Sequence, residues 1–344
     1  MRPIVIPREH GKEQVQRSLS DKNRATKPAP RWIEAYSWPM NASPRFGYGT
    51  GTSMTSVEQV RQEALWAAGV GFQSFWVSQI FGIDPIVALA ALGDAASSFG
   101  ELGTSVVPLA GRHPLALGAS ARTAQSALSG RFTLGIGPSH AVVTEGFFGE
   151  PYSQAFSRTA TFVIALEKLL KGEPVDVVGE QLFAKGWLNI EASPVPILLA
   201  ALGPKMLELA GRLTAGTTLG SCGPKTIATH IAPRINEAAA DAGKPAPRIV
   251  ALVEVAVTND PESIRAEARA AGGIYADLPS YRRVLDIEGV ESGADLILAG
   301  GWTEIEDGLQ QYADAGVTDF RVVICSEDPS VRHRTQGALA EHLD

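Results

Sequence analysis

Residues 194–224 constrain the fold of this chain most, because strand, helix and loop signals follow one another there without a gap. Residues 197–202 form an apolar run of the length typical of a strand that is buried on both faces. Pro204 can open a helix, since the first helical position has no hydrogen bond for proline to remove. A second strand at 217–219 follows. The order predicts parallel strands connected by helices.

A glycine-containing loop follows the second of these strands. It consists of Gly220, Ser221, Cys222 and Gly223, and Pro224 then begins another predicted helix. The first N–H groups of a helix lack intrahelical partners, so such a loop presents backbone amides to an anion. We expect a phosphate-binding loop here, at the carboxyl end of a strand.

The same alternation of strands and helices continues through the chain from residue 45. Eight strands are predicted, with helices between them, at 45–51, 74–79, 102–109, 131–137, 197–202, 217–219, 248–257 and 320–325. Two segments depart from this alternation, a hairpin within 173–192 and a looser stretch at 277–301. A final helix is predicted near residues 337–343. Eight alternating units predict the α/β class and a (β/α)8 TIM barrel with insertions. A doubly wound open sheet is disfavoured, because no GxGxxG turn follows the first strand.

Charge divides the chain into two parts. Residues 1–44 hold eight Lys and Arg against four Asp and Glu, although the whole chain of 344 residues has a formal charge of −7. That segment is polar and without periodicity, which favours a disordered N-terminal extension, or a start of translation at Met40 instead, over a functional basic arm or a targeting peptide. Residues 45–344 are then the barrel domain. Their acidity argues against a nucleic-acid partner.

Cysteine and hydropathy patterns bear on the compartment. The chain has two cysteines, too few for a disulfide framework, as expected in a reducing cytoplasm. No apolar run reaches the roughly 18 residues of a membrane span, and no secretory signal is evident. The six histidines are scattered without metal-ligand spacing, so no metal site is predicted. We expect a cytoplasmic protein without membrane contact.

The fourth predicted strand ends in residues suited to a flat ligand. Gly135 and Gly137 would let a ring approach the backbone closely. His140 follows at the mouth of the barrel, where an imidazole can accept or donate a proton near neutral pH. The alternative is a loop histidine bonded to a neighbouring carbonyl group.

Polar residues also end the second and third predicted strands. Gln79 can hydrogen-bond the edge of a heterocycle, although it cannot transfer protons. Thr104 and Ser105 indicate either satisfied buried hydroxyls or a bulge that supports a ligand. No GxSxG elbow and no Walker loop is present, which disfavours hydrolases and kinases. The pattern of these residues indicates a phosphate-bearing cofactor and does not identify it further.

Three segments resemble the luciferase-like oxidoreductase superfamily, and their order and spacing match it over nearly all of residues 45–325. They are GTSVVPLAGRHPLALGA (103–119), RFTLGIGPSH (131–140) and PVPILLAALGPKMLELAG (194–211). The chain is most similar to the branch that uses the deazaflavin coenzyme F420. That branch includes methylenetetrahydromethanopterin reductase and F420-dependent glucose-6-phosphate dehydrogenase.

The resemblance implies where the cofactor lies. The ring would occupy the barrel mouth, backed by a bulge with a non-prolyl cis peptide at Ser105–Val106. His140 falls where the sugar-phosphate dehydrogenase has a glutamate acid/base, which makes it the candidate proton donor. The phosphate tail would lie between two short segments. These comprise Ala201, Leu202, Gly203, Gly220, Ser221, Cys222 and Gly223.

One departure from the relatives bears on the substrate. The dehydrogenase has an Asp-His pair after its second strand, where this chain has Gln79 and Ile80. Sugar-phosphate oxidation is therefore not expected. The resulting hypothesis is an F420-dependent oxidoreductase that moves hydride between the deazaflavin C5 and a small organic substrate. The alternatives are a monooxygenase using reduced FMN and a non-catalytic flavin- or deazaflavin-binding protein. A homodimer follows only by analogy with relatives.

Overall fold

The computed structural model describes residues 44–51, 54–79, 81–272 and 277–343. A closed barrel of eight parallel strands lies at its centre, because the seventh strand pairs with the sixth and the eighth pairs with the first. The predicted (β/α)8 barrel is therefore confirmed. Its strands are β1 (Arg45–Gly49), β2 (Ser74–Val77), β3 (Glu101–Thr104), β5 (Phe132–Gly137), β8 (Ile197–Ala200), β9 (Gly216–Leu219), β10 (Arg248–Val257) and β12 (Asp319–Ile324).

Four shorter strands complete the sheets. β4 (Val107–Pro108) continues beyond β3 and pairs with β5. β6 (Val175–Val178) and β7 (Phe183–Gly186) form an antiparallel hairpin, as predicted within 173–192. β11 (Leu298–Gly300) pairs with the carboxyl end of β10, outside the barrel.

Helices surround the barrel, and proline occupies the first position of several of them, where it removes no hydrogen bond. Their bounds are α1 (Val57–Val70), α2 (Pro85–Ala90), α3 (Pro114–Ala127), α4 (Ala141–Gly146), α5 (Ala155–Leu170), α6 (Pro204–Leu213), α7 (Pro224–Thr226), α8 (Ala232–Asp241), α9 (Pro261–Ala271), α10 (Pro279–Glu288), α11 (Trp302–Asp314) and α12 (Pro329–His342). A π-helical turn, Ile227–Ile231, joins α7 to α8, and 3₁₀ turns lie at Gly93–Ala96 and Gly293–Leu296.

The third predicted strand is interrupted at its centre. The peptide bond between Ser105 and Val106 is cis, and it separates β3 from β4. This position is the one that the superfamily resemblance implied, and that prediction is confirmed. Both peptide partners lie at the carboxyl end of the barrel.

Two predictions about the last third of the chain are wrong. The stretch 277–301 is not loose, since it contains α10, a 3₁₀ turn and β11. The sequence of α10 is mostly polar, and its buried residues are Val284 and Leu285. The final helix begins at Pro329 rather than at residue 337, because the Asp328 carboxylate accepts a hydrogen bond from the Ser330 amide at 2.7 Å and caps it. The predicted N-terminal extension lies outside the described residues, apart from residue 44.

An ionic cluster closes the amino-terminal end of the barrel. Arg248 donates hydrogen bonds to Glu101 at 2.7 Å and to Asp319 at 2.8 Å, and all three side chains are at least nine-tenths buried. Arg45 pairs with the same two carboxylates from the first strand. The Arg248 guanidinium also lies 5.9 Å from the centre of the buried Trp76 ring. With this end filled, the opposite end is where the barrel can admit a ligand.

Candidate functional site

A cavity of about 520 Å³ opens at the carboxyl ends of the strands. All eight barrel strands are parallel, so the residues that follow them meet at this one end. Strand-end residues supply most of the polar groups that face the cavity. Its lining includes Thr50, Ser78, Gln79, Ser105, Val106, Gly137, His140, Gly220, Ser221, Glu254, Tyr281 and Arg321.

Seven of the residues predicted for the site line this cavity together. They are Gln79, Ser105, Val106, Gly137, His140, Gly220 and Ser221. The other predicted residues lie beneath or beside it. They are Thr104, Gly135, Ala201, Leu202, Gly203, Cys222 and Gly223.

Thr104 and Gly135 hold two strands together beneath the cavity. The Thr104 hydroxyl donates to the Gly135 carbonyl at 2.8 Å and accepts from the Gly135 amide at 2.9 Å. A Cβ atom at residue 135 would lie 1.9 Å from the Thr104 carbonyl oxygen. The hydroxyl of Thr104 is therefore satisfied within the barrel. The space that Gly135 leaves is filled by the backbone of β3 rather than by a ligand.

A chain of hydrogen bonds crosses the mouth of the barrel at the cis peptide. The Ser78 hydroxyl donates to the Ser105 carbonyl at 2.8 Å, and Arg321 Nη1 donates to the Ser78 hydroxyl at 3.1 Å. On the other side, the hydroxyls of Ser105 and Thr218 lie 2.8 Å apart and share a hydrogen bond. These contacts fix the orientation of the peptide that faces the cavity.

The sequence analysis missed three charged residues that line this cavity, namely Arg321 and Glu254 within barrel strands and Arg269 on α9. Arg321 and Glu254 each interrupt an apolar strand, in the sequences FRVVI and LVEVAV, and a charge within such a run is the signal that could have found these two. Burial lowers the pKa of Arg321 to about 10, although nearby Glu254 and Tyr281 oppose that shift. Burial raises the pKa of Glu254, and the positive charge of Arg321 only partly offsets this effect. At neutral pH Arg321 therefore keeps its charge.

His140 lies at the rim of the cavity and immediately precedes α4. Its ring centroid is 5.5 Å from that of Tyr281, which α10 supplies. Burial lowers the pKa of His140 below its ordinary value of 6.5, so the neutral imidazole is favoured at pH 7. The ring can therefore accept a proton from a bound molecule. Tyr281 was missed because its segment was predicted to lack regular structure.

Gln79 is held at the rim by a neighbouring ion pair. Its side-chain oxygen accepts a hydrogen bond from Arg112 Nη2 at 2.9 Å. The same nitrogen of Arg112 contacts the Asp84 carboxylate at 2.9 Å. Because the amide oxygen is engaged, the amide nitrogen is the group with which Gln79 can donate to a ligand.

Glu288 blocks one end of the predicted phosphate loop, where α7 begins, and leaves the other end open to the cavity. The carboxylate of Glu288 accepts hydrogen bonds from the amides of Lys225 and Thr226, at 3.3 and 2.7 Å. A Cβ atom at Gly223 would lie 2.3 Å from the Glu288 carboxyl carbon. The helix start is thus occupied by a carboxylate of the protein itself. Of the loop residues, Gly220 and Ser221 are those that line the cavity.

The remaining predicted residues support this region from the barrel wall. Ala201 and Cys222 are buried in the main apolar core, and burial raises the pKa of the Cys222 thiol. The carbonyl of Leu202 accepts a hydrogen bond from His230 Nε2 at 2.8 Å. Gly203 immediately precedes α6.

Among the described residues, no helix is long and apolar enough to cross a membrane. In the same residues, no group of three or more His, Cys, Asp or Glu side chains is placed to hold a metal ion.

Comparison with known proteins gives a family match. A family model described as luciferase-like monooxygenase matches residues 40–319, which is most of the chain. The chain is 26% identical to 5,10-methylenetetrahydromethanopterin reductase of Methanolobus tindarius, over 71% of this chain and 75% of that protein. It is 29% identical to the F420-dependent glucose-6-phosphate dehydrogenase of Beutenbergia cavernae, over 73% of this chain and 78% of that protein.

A solved structure with another cofactor has a similar fold. It is the oxygenating constituent of 3,6-diketocamphane monooxygenase of Pseudomonas putida, in complex with FMN. The TM-score is 0.67 and the identity 16%, over 88% of this chain and 98% of that chain. At this identity the similarity shows the fold alone. Together with the family match, it confirms the superfamily resemblance found in the sequence.

Proposed function

We propose that this chain, which belongs to the luciferase-like monooxygenase family, is a coenzyme F420-dependent oxidoreductase acting on a small organic molecule. The observation that carries the proposal is the cavity of about 520 Å³, which gathers seven of the predicted site residues at the strand ends. Its volume lies within the range of roughly 300–1,000 Å³ that small-molecule and cofactor sites occupy. The Beutenbergia cavernae relative is F420-dependent by name, and the reductase is of the kind that the sequence resemblance assigns to the F420 branch. The FMN-bound structure supports only the fold.

The residues of the cavity fit such a cofactor chemically. Val106 and Gly137 offer the ring an apolar backbone surface, and Gln79 offers amide donors to its edge. A side chain at Gly220 would meet no atom within 4 Å, so the backbone there is open to a phosphate. When bound, the cofactor would supply two-electron hydride chemistry at the deazaflavin C5.

His140 is the proposed proton-transfer residue for the substrate. Its neutral imidazole would take the hydroxyl proton of an alcohol during oxidation, and return a proton to the oxygen in the reverse direction. Tyr281, beside it, would help to exclude water from that rim of the cavity. Sugar phosphates remain disfavoured as substrates, because Gln79 cannot replace a catalytic acid or base. Ile80, which stands where the dehydrogenase has the histidine of its Asp-His pair, lies outside the described residues.

The test is direct binding of oxidised F420 and of FMN, followed by fluorescence quenching of each cofactor. We expect saturable F420 binding and weaker FMN binding. Gly220→Val should weaken F420 binding by about tenfold or more, since the added side chain fills the space for the phosphate.

The matched control is Gly69→Val, which adds the same side chain in open space on α1 and should leave binding unchanged. Tight FMN binding without F420 binding would overturn the proposal in favour of the FMN-dependent monooxygenase. Binding of F420 without any turnover would instead favour the non-catalytic carrier. The cytoplasmic location and the homodimer stay predictions.

A further inference from the structure

Arg321 is a buried cation with unused hydrogen-bonding capacity. Its side chain is almost fully buried, at 7% exposure, and it lines the cavity. Its Nε atom is buried and has no hydrogen-bond partner among the residues that the structure describes. A buried donor left unpaired destabilises the protein, and more so when it is charged, so it points to a ligand that supplies an acceptor.

The barrel is shaped to hold Arg321 in this place. Gly49 lies on the neighbouring strand, and a Cβ atom there would lie 2.8 Å from Arg321 Cγ. The bond from Arg321 Nη1 to Ser78, and from Ser78 to the Ser105 carbonyl, ties the guanidinium to the cis peptide. Arg321 and Val106 line the same cavity, so a ring that rests against Val106 can place one edge at this cation.

We propose that Arg321 binds the pyrimidinedione edge of the cofactor ring and favours its reduced, anionic form over its oxidised form. This inference rests on the proposed function. A hydride from an alcohol, two electrons and one proton, would add one unit of negative charge to the ring. N1 and the C2 oxygen would share that charge, and both are acceptors that a guanidinium can pair in a planar arrangement.

A negative charge on Glu254 would oppose this preference for the reduced ring, but burial disfavours that charge. Its carboxyl lies near Arg321, but burial raises its pKa, so its negative charge is disfavoured in the cavity. Tyr281 also lies near Arg321. The Arg321 guanidinium keeps its positive charge at neutral pH and can therefore pair with an anionic ring at this edge of the cavity.

The experiment measures the dissociation constants of oxidised and of reduced F420 under anaerobic conditions, for the intact protein and for Arg321→Met. We expect the ratio of the oxidised to the reduced constant to fall by about tenfold or more in the variant. For a two-electron couple, tenfold corresponds to about 30 mV in the potential of the bound cofactor. A spectroscopic redox titration of the complex reads the same shift without any substrate.

Three further variants decide the outcome. Arg321→Gln is a second neutral variant, for use if the methionine protein does not fold, and the same fall in the ratio is expected. Arg321→Lys keeps the charge and should retain most of the preference. Arg212→Met removes a cation from the surface and should change nothing.

An unchanged ratio in a folded neutral variant would overturn the inference, and so would a lysine variant that loses as much preference as the methionine variant. Both results leave F420 binding intact, so the proposed function would survive. Failure of the unaltered protein to bind F420 would overturn both.

Discussion

Replacing Arg248 with methionine lowers the free energy of unfolding by about 3–5 kcal/mol, which is the expected cost of removing one partner from a buried ionic cluster. Arg248 pairs with Glu101 and Asp319. Its loss leaves two neighbouring carboxylates, each at least nine-tenths buried, without this positive charge. Arg45 remains, but it is 25% exposed and is a weaker compensation. Equilibrium denaturation in urea measures the loss.

Arg212→Met is the matched control for this prediction. Arg212 pairs with Asp241 at 3.1 Å on the surface, where ion pairs contribute about 0–1 kcal/mol. A loss of less than about 1 kcal/mol in the Arg248 variant would contradict the structural role assigned to the cluster.

The same cluster predicts how stability depends on acidity. Burial alone would raise the pKa of Glu101 and Asp319, but the charges of Arg248 and Arg45 outweigh it and lower both values. Their contribution is therefore complete above the unfolded values, which are about 4.3 for Glu and 3.9 for Asp. It is lost as the pH falls through the lower folded-state values. In the Arg248 variant this acid-range loss should be smaller.

Replacing His140 with alanine should lower turnover with F420 by about 10²–10⁴-fold, the range of a lost general acid or base. The assay uses whichever small alcohol or carbonyl compound the unaltered protein converts in a screen. Affinity for oxidised F420 should change little, since the imidazole lies at the rim of the cavity. The loss would then be in kcat rather than in cofactor binding.

The pH profile separates proton transfer from a structural role for His140. Burial lowers the pKa of the imidazole below 6.5, so alcohol oxidation should decline only as the pH falls through that lower value. His140→Asn should abolish this limb of the profile while retaining a polar side chain. Turnover that survives in the alanine variant, with its acidic limb unchanged, would contradict the assignment.

Local sequence signals predicted the barrel well, because each strand-helix unit has its own boundary signals. Apolar runs mark the buried strands, and prolines such as Pro114 and Pro204 mark helix starts. The segment 277–301 was missed for a physical reason. α10 buries only Val284 and Leu285, so its periodicity is too weak to distinguish it from a polar loop.

The site was predicted in part, where a residue follows a recognisable strand end. His140 and Ser221 belong to that group. Arg321 and Glu254 face the cavity from within strands, and only their position in the closed barrel brings them together. Glu288 reaches the start of α7 from a helix more than sixty residues later, so no local pattern indicates it.

A crystal structure of the protein with oxidised F420 would test the central claim most directly. We expect the ring against Val106, its pyrimidinedione edge within about 2.7–3.2 Å of the Arg321 guanidinium, and a phosphate oxygen at the amides of Gly220 and Ser221. F420 bound away from the carboxyl ends of the strands, or a ring whose other edge faces Arg321, would contradict the account.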